Sequence, residues 1–228
     1  AIFCVSEYIK KKFLEGIKSD LNKIHVLYNG VQRKIQKFPK KNKEILFVGR
    51  LVPEKGVDLY VDAVKSISSY YPEWSFGLIG SFKLGETKIN NNFANMVIKN
   101  FNKIGCNAKF YGFKNQAFVE KKMQSASIIV IPSLWQEPFG LVAAEAMSNG
   151  IAIIASKVGG IPEIVKNNGV LIEHLNLIKL QKHILELINN KKLRENFQKK
   201  TWKNFVLSSN NSSQKLDQFR KKIFKNYY

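Results

Sequence analysis

The sequence predicts a doubly wound α/β fold built on a parallel sheet, and three observations predict it. Short apolar runs alternate with stretches of helical spacing along most of the chain. The runs are apolar at consecutive positions, as expected of strands buried on both faces. They end at Gly, Pro, Ser or Asn, residues that turn a strand into a loop.

In chain order, strands are expected at 2–5, 24–28, 45–48, 75–79, 108–111, 128–131 and 151–155, with a weaker one at 170–172. Helical spacing covers 57–71, 88–103, 116–125 and 140–149. A helical tail with basic, amphipathic faces follows over 175–189, 191–206 and 213–227. Asn29-Gly30 breaks the second strand, and a polar, Lys-rich run to Lys43 leads into the third, so the chain divides within 29–43. The part before it reads as an orphaned strand, helix and strand. The part after it reads as a complete domain of about six parallel strands.

The chain has 228 residues, 45% of them hydrophobic, and 37 Lys and Arg against 17 Asp and Glu give a formal charge of +20. No segment approaches the roughly 18 uninterrupted apolar residues of a membrane span, and the composition argues equally against disorder. Cys4 and Cys106 lie far apart without a second Cys or close His to complete a metal site, which fits a reducing, cytoplasmic setting. The opening residues have too short an apolar run for a signal peptide and read as an interior segment.

Three loops that follow strands carry groups suited to chemistry. In Gly49-Arg50-Leu51-Val52-Pro53-Glu54-Lys55-Gly56, Gly49 permits close backbone approach and Arg50 and Lys55 supply charge for a diphosphate. An ordinary charged helix start is the alternative, since neither a dinucleotide glycine fingerprint nor a P-loop is present. After the strand at 128–131, Glu137 precedes a helix whose first turn, Pro138, Phe139, Gly140 and Leu141, points free N–H groups at whatever fills the cleft. Glu145, eight positions on, lies about 80° round the helix from Glu137 among Val142, Ala143, Ala144, Ala146 and Met147. A carboxylate in such a run needs a partner. The plainer readings are a charge favoured at a helix N-terminus for Glu137 and a surface glutamate for Glu145. The third loop contains Gly159-Gly160 and leads into a short helix, and a tight strand-to-helix turn is its alternative. Gly80 with Ser81, and Gly112 with Phe113, hold corresponding positions after their strands.

The aspartates are Asp20, Asp58, Asp62 and Asp217, so no Asp-x-Asp is available to hold a metal on a diphosphate. His25, His174 and His183 are scattered, and no Gly-x-Ser-x-Gly nucleophile elbow occurs.

The runs ILFVGRLVPEKGVDLYVDAV and IIVIPSLWQEPFGLVAAEAMSNGIAIIASKVGGIPEIV, with two glutamates separated by seven residues in an EPFG context, resemble the retaining glycosyltransferases of family 4. Those enzymes have the two-domain GT-B fold, and the match is to their carboxy-terminal, Rossmann-like, donor-binding half. The resemblance implies that residues 1–30 belong to the acceptor-side domain, 31–43 form a linker, 44–210 bind a nucleotide sugar and 211–228 form a last helix. It further implies that Arg50 and Lys55 neutralise the donor diphosphate, with Gly49 admitting it. Glu137 would hold the donor sugar's hydroxyls, and Phe139, Gly140 and Leu141 would offer amides. Glu145 would bind the ribose, Phe113 would face the base and Gly160 would lie on the phosphate side. Catalytic roles fall to Glu137, Arg50 and Lys55, with no metal and no cofactor. The donor would be UDP-, GDP- or ADP-linked, and the acceptor a glycan or lipid-linked glycan.

The charge of +20 admits other partners. It is spread through the chain without a nucleic-acid motif, so an anionic membrane surface, with the enzyme peripheral on its inner face, suits the family better than nucleic acid. A non-enzymatic nucleotide-sugar-binding module and a related epimerase are the further alternatives. Retention of Glu137, Glu145, Arg50 and Lys55 argues against the first, and the EPFG context against the second.

Overall fold

The computed structural model describes residues 1–16, 23–82 and 91–225. Six strands form one sheet: β3 (Asn42–Val48), β4 (Ser75–Ile79), β5 (Ala108–Gly112), β6 (Ala126–Ile131), β7 (Ala152–Ser156) and β8 (Val170–Ile172). Their order is β5-β4-β3-β6-β7-β8, and every neighbouring pair is parallel. The doubly wound sheet is therefore as expected. The order reverses between β3 and β6, and in open α/β sheets a crevice opens at the carboxyl ends of the strands flanking such a switch point.

Side chains alternate across the sheet because successive residues of a strand point to opposite faces. Ile45, Phe47, Phe76, Leu78, Ile128 and Val130 pack with α2 (Val57–Ile67), α3 (Asn92–Asn102) and α7 (Leu177–Asn189). Leu46, Ile79 and Ile129 pack with α4 (Gln116–Ser125), α5 (Leu141–Ser148) and α6 (Ile161–Val165). Buried Tyr60 sets its hydroxyl 3.0 Å from the carbonyl oxygens of Ile45 and Gly77, joining α2 to β3 and β4.

Before the sheet, β1 (Ile2–Cys4) and β2 (Ile24–Val26) pair in parallel around α1 (Glu7–Gly16). After it come α8 (Lys191–Lys203) and α9 (Ser209–Lys225). The last helix returns to the first strands: the Phe219 ring lies 5.5 Å from Phe3 and 4.6 Å from His25, centre to centre. The Val31 N–H donates to Leu207 O at 2.8 Å, so the chain enters and leaves the main domain side by side.

Several boundaries move. β3 begins at Asn42, inside the run expected to be linker, because Asn42 pairs with Ala126 and Glu44 with Ser75. Glu44 is tolerated in a buried strand because the Lys122 ammonium lies 2.5 Å from its Oε1. The helix after β3 ends at Ile67 and continues only as a 3-10 turn. The last helix starts at Ser209, earlier than expected, since the Ser208 hydroxyl accepts the Asn211 N–H at 3.1 Å as a cap would. Residues 83–90, including the start of the helix expected at 88–103, lie outside the described residues, as do 226–228.

The segment between β2 and β3 is fastened down. The Arg33 guanidinium lies 3.8 Å over the Trp202 ring and donates to Ser148 O at 3.0 Å and Trp202 O at 2.7 Å. The Lys41 ammonium donates to Met123 O, Gln124 O and Asn149 O at 3.1, 2.8 and 2.8 Å, closing the carboxyl ends of α4 and α5. Among the described residues no helix is long and apolar enough to cross a membrane.

Candidate functional site

A crevice opens at the switch point between the ends of β3 and β6, lined by Gly49, Lys55, Pro132, Ser133, Glu137, Gly140 and Leu141 among others. Its volume is about 110 Å³, well below the roughly 300–1,000 Å³ of small-molecule pockets.

Two loops build it. In the loop after β3, Pro53 opens a 3-10 turn and Gly56, at φ +62°, closes it. A Cβ at Gly56 would lie 2.0 Å from Pro132 O, so only glycine lets this turn press against the end of β6. The Leu134 and Trp135 N–H groups both donate to Glu54 O, at 2.9 and 3.2 Å, locking the two loops together. Lys55 is thereby brought onto Glu137, and its ammonium ion-pairs with Oε1.

Buried Ser133 donates to the same oxygen at 2.5 Å, and its own carbonyl accepts from the Ser156 hydroxyl at 2.6 Å. Glu137 Oε2 has no hydrogen-bond partner among the described residues, although the side chain is only 14% exposed. A carboxylate has about four acceptor positions, so this oxygen remains available to a ligand's hydroxyls. The N–H groups of Phe139, Gly140, Leu141 and Val142 likewise find no acceptor among the described residues, as expected of a helix start. Gly140 holds φ +96° as the cap of α5.

Beneath Glu137 lies the turn after β7. The Gly160 N–H donates to Glu137 O at 2.7 Å, and the Gly159 N–H donates to Gln136 Oε1 at 2.7 Å. Gly159 sits at φ +55° with the Glu137 backbone where a Cβ would stand, 2.1 Å away at its closest.

The residues singled out in the sequence are thus not all gathered. Gly49, Lys55, Glu137, Gly140 and Leu141 share the crevice. Arg50 is exposed and unpaired among the described residues, and it does not line the crevice; its neighbour Leu51 anchors the loop through Ser81 O. Phe139 contributes only backbone, its side chain being 3% exposed in the core. Gly160 does not supply a ligand amide, because its N–H is committed to Glu137 O. The Gly49 N–H is similarly committed, to Ile79 O at 3.1 Å.

Glu145 faces α4 instead of Glu137, and its partner is Gln116, whose amide donates to Oε1 at 3.1 Å. Burial pushes this carboxyl above its ordinary value, Gln116 draws it down, and neighbouring Glu120 raises it further. Phe113, 38% exposed, follows Gly112 at the end of β5, on the side where α4 begins. Among the described residues no three His, Cys, Asp or Glu side chains converge as metal ligands would.

Ser133, Gln136 and Gln116 carry no signal in the sequence. Gln136 and Gln116 matter through hydrogen bonds to residues 23 and 29 positions away, and Ser133 through one to Glu137 four positions on, which no spacing rule points to.

Residues 30–204 match the family described as "Glycosyl transferases group 1". An uncharacterized glycosyltransferase of Methanocaldococcus jannaschii is 41% identical over 196 residues, covering 85% of this chain and 51% of that protein. The phosphatidyl-myo-inositol mannosyltransferase of Mycobacterium tuberculosis is 24% identical over 207 residues, again 85% of this chain and 51% of that one. The chain spans about half the length of the curated relatives it matches. Among solved structures, Anabaena HepE in complex with UDP and glucose superposes with a TM-score of 0.80 at 21% identity, covering 96% of this chain and 62% of that one. A glycosyltransferase from Rickettsia africae superposes at 0.78 and 23% identity, over 98% and 63%. These likenesses agree on the Rossmann-like sheet of GT-B enzymes. The chain belongs to the glycosyl transferases group 1 family.

Proposed function

We propose that this chain is the carboxy-terminal, donor-binding half of a retaining, metal-independent glycosyltransferase that uses a nucleoside-diphosphate sugar. The observation that supports this most directly is the Lys55–Glu137 pair at the switch point, with one carboxylate oxygen unclaimed beside a row of free helix N–H groups. A diphosphate recruits the cation and the amides, and the sugar's hydroxyls recruit Glu137. Glu145 takes the ribose and Phe113 the base. Arg50 reaches the phosphates from the rim.

As the anomeric carbon–oxygen bond breaks, both bonding electrons leave with the diphosphate and the sugar becomes oxocarbenium-like. Lys55 and the amides of Gly140 and Leu141 stabilise the charge that develops on the leaving oxygen. The acceptor hydroxyl then attacks the face just vacated, and the departing phosphate takes its proton, so configuration is retained. A covalent intermediate on Glu137 is the less favoured variant in this reading, in which its unclaimed oxygen serves the sugar's hydroxyls.

The acceptor in this reading is a glycan or lipid-linked glycan. The reaction runs in the cytoplasm at an anionic membrane, against which exposed lysines of the tail such as Lys191, Lys192, Lys221 and Lys222 would rest. Liposome binding that survives high salt would contradict that placement.

The donor site is tested by titration calorimetry with UDP, GDP and ADP and their sugar conjugates, on the wild type, Lys55→Ala and Glu145→Ala. One nucleotide is expected to bind, more weakly in both variants, with little transfer by this chain alone. No binding of any of them to the folded protein would overturn the proposal, and transfer at the rate of an intact enzyme would overturn the assignment to half of one.

A further inference from the structure

The unit formed by β1, α1 and β2 is fastened to the crevice loops at two points. At the first, the Glu163 carboxylate accepts the Glu7 N–H at 2.8 Å, the Tyr8 N–H at 2.7 Å and the Tyr28 hydroxyl at 3.0 Å. A carboxylate from α6 thus caps the N-terminus of α1, where a negative charge is favoured. At the second, fully buried Ser6 donates to Pro138 O at 2.5 Å while its oxygen accepts the Ile9 N–H at 3.0 Å. The Tyr28 ring lies 6.2 Å from Phe139 and completes the contact. Burial, followed by the bond to Glu163, pushes the Tyr28 phenol up to about 12, so it remains a donor throughout the neutral range.

Both fasteners lead to the segment that carries Glu137. Pro138 is the next residue. Glu163 begins a shorter path than its sequence position suggests: its own N–H is bound to Gly160 O at 3.1 Å, and the Gly160 N–H donates to Glu137 O. A displacement of α1 that drags Glu163 is passed through the Gly159-Gly160 turn to Glu137, because no Cβ-sized gap separates them. An ordinary helix cap would need only the bonds to Glu7 and Tyr8. The added phenol and the shared turn point to coupling.

We propose that Glu163 is a positioning residue that ties the placement of α1 to the placement of Glu137, so that the donor-sugar end of the crevice is set by the unit preceding the main domain. Its consequence for sugar transfer rests on the function proposed above, whereas the mechanical coupling does not.

The test is backbone amide exchange on the chain as wild type, Glu163→Gln and Tyr60→Phe, the last weakening the sheet far from the fasteners. In Glu163→Gln the Glu7, Tyr8 and Gly160 amides are expected to exchange together, roughly tenfold faster, as for loss of one hydrogen bond to a charged group. In Tyr60→Phe those three should change only by the factor seen across the core. Faster exchange at Glu7 and Tyr8 with Gly160 at its wild-type rate would reduce Glu163 to a cap and overturn the coupling. Tyr28→Phe, which takes the phenol from Glu163 and leaves its carboxylate, supplies the same reading in milder form if Glu163→Gln does not fold.

A second arm compares the affinities of UDP and UDP-glucose, and of the GDP and ADP counterparts. Glu163→Gln should weaken the sugar conjugate selectively, about tenfold, and leave the free nucleotide unchanged; equal loss of both, or of neither, contradicts the coupling. If the wild type binds none of them, the donor-binding function fails and exchange at Gly160 alone decides the mechanical claim.

Discussion

Replacing Gly159 by Ala puts a methyl group 2.1 Å from Glu137 O and 2.5 Å from Glu137 N, both backbone atoms that no side-chain rotation can move aside. Ordinary contact begins near 3.4 Å, so the peptide carrying Glu137 must withdraw by more than an ångström, breaking the 2.7 Å bond from Gly160. The left-handed φ of +55° costs any side chain about 1–2 kcal/mol, and the lost hydrogen bond about 1 kcal/mol more. Gly112 supplies the control: it holds φ +69°, yet a Cβ there meets nothing within 4 Å, so Gly112→Ala carries the backbone cost without the overlap. By scanning calorimetry both variants should melt below the wild type, with Gly159→Ala lower than Gly112→Ala by about 2–4 °C for a chain of this size. Titration calorimetry should also show the nucleotide-sugar affinity of Gly159→Ala reduced by about tenfold or more, as expected when a positioned group shifts by an ångström. Equal melting temperatures together with wild-type affinity would refute the claim that this turn braces Glu137.

Lys55→Ala leaves a largely buried carboxylate with Ser133 as its remaining donor, and is expected to destabilise the chain by about 1–3 kcal/mol in addition to weakening diphosphate binding; chemical denaturation measures the first effect. Glu145→Gln should separate stability from binding. Because burial raises this carboxyl in the folded chain, folding favours its protonated form; the stabilisation is complete below the unfolded value of 4.5 and is lost as pH rises through the folded one. The variant should therefore melt higher than wild type at pH 7 and not at pH 4, while binding nucleotide less well. Lys122→Met removes the partner of Glu44, which is 4% exposed, and should cost about 3 kcal/mol, with Glu44→Gln on the same background restoring part of the loss in urea titrations.

The sheet was legible because its strands are buried on both faces: Ile128, Ile129 and Val130 form an apolar run, and its shortness and the Pro132 that follows mark it as a strand. The crevice was legible for a related reason, since Gly49, Lys55 and Glu137 follow strands whose order places them at one switch point. What escaped notice depends on partners distant in sequence. Asn42 and Lys43 read as linker until Asn42 is seen paired with Ala126. Glu163 carries no signal in the sequence, because the amides it caps lie more than 150 residues away. Arg50 and Lys55 look equivalent on paper, yet the turn at Gly56 delivers only Lys55 to the carboxylate.

The side-by-side passage of the chain into and out of the main domain has a mechanical meaning. Gly30 is packed so closely that a Cβ there would lie 2.5 Å from the Ser209 Cα, and Arg33 and Lys41 pin everything that follows on the entering side. The two passages thus form a neck of two adjacent chain segments, joined by the Val31 to Leu207 bond. Glu163 and Ser6 hold the same leading unit at separate points, one on α6 and one at Pro138. Drawing that unit away from the main domain as a body therefore means breaking the bonds at Glu163 and Ser6 as well as those at the neck.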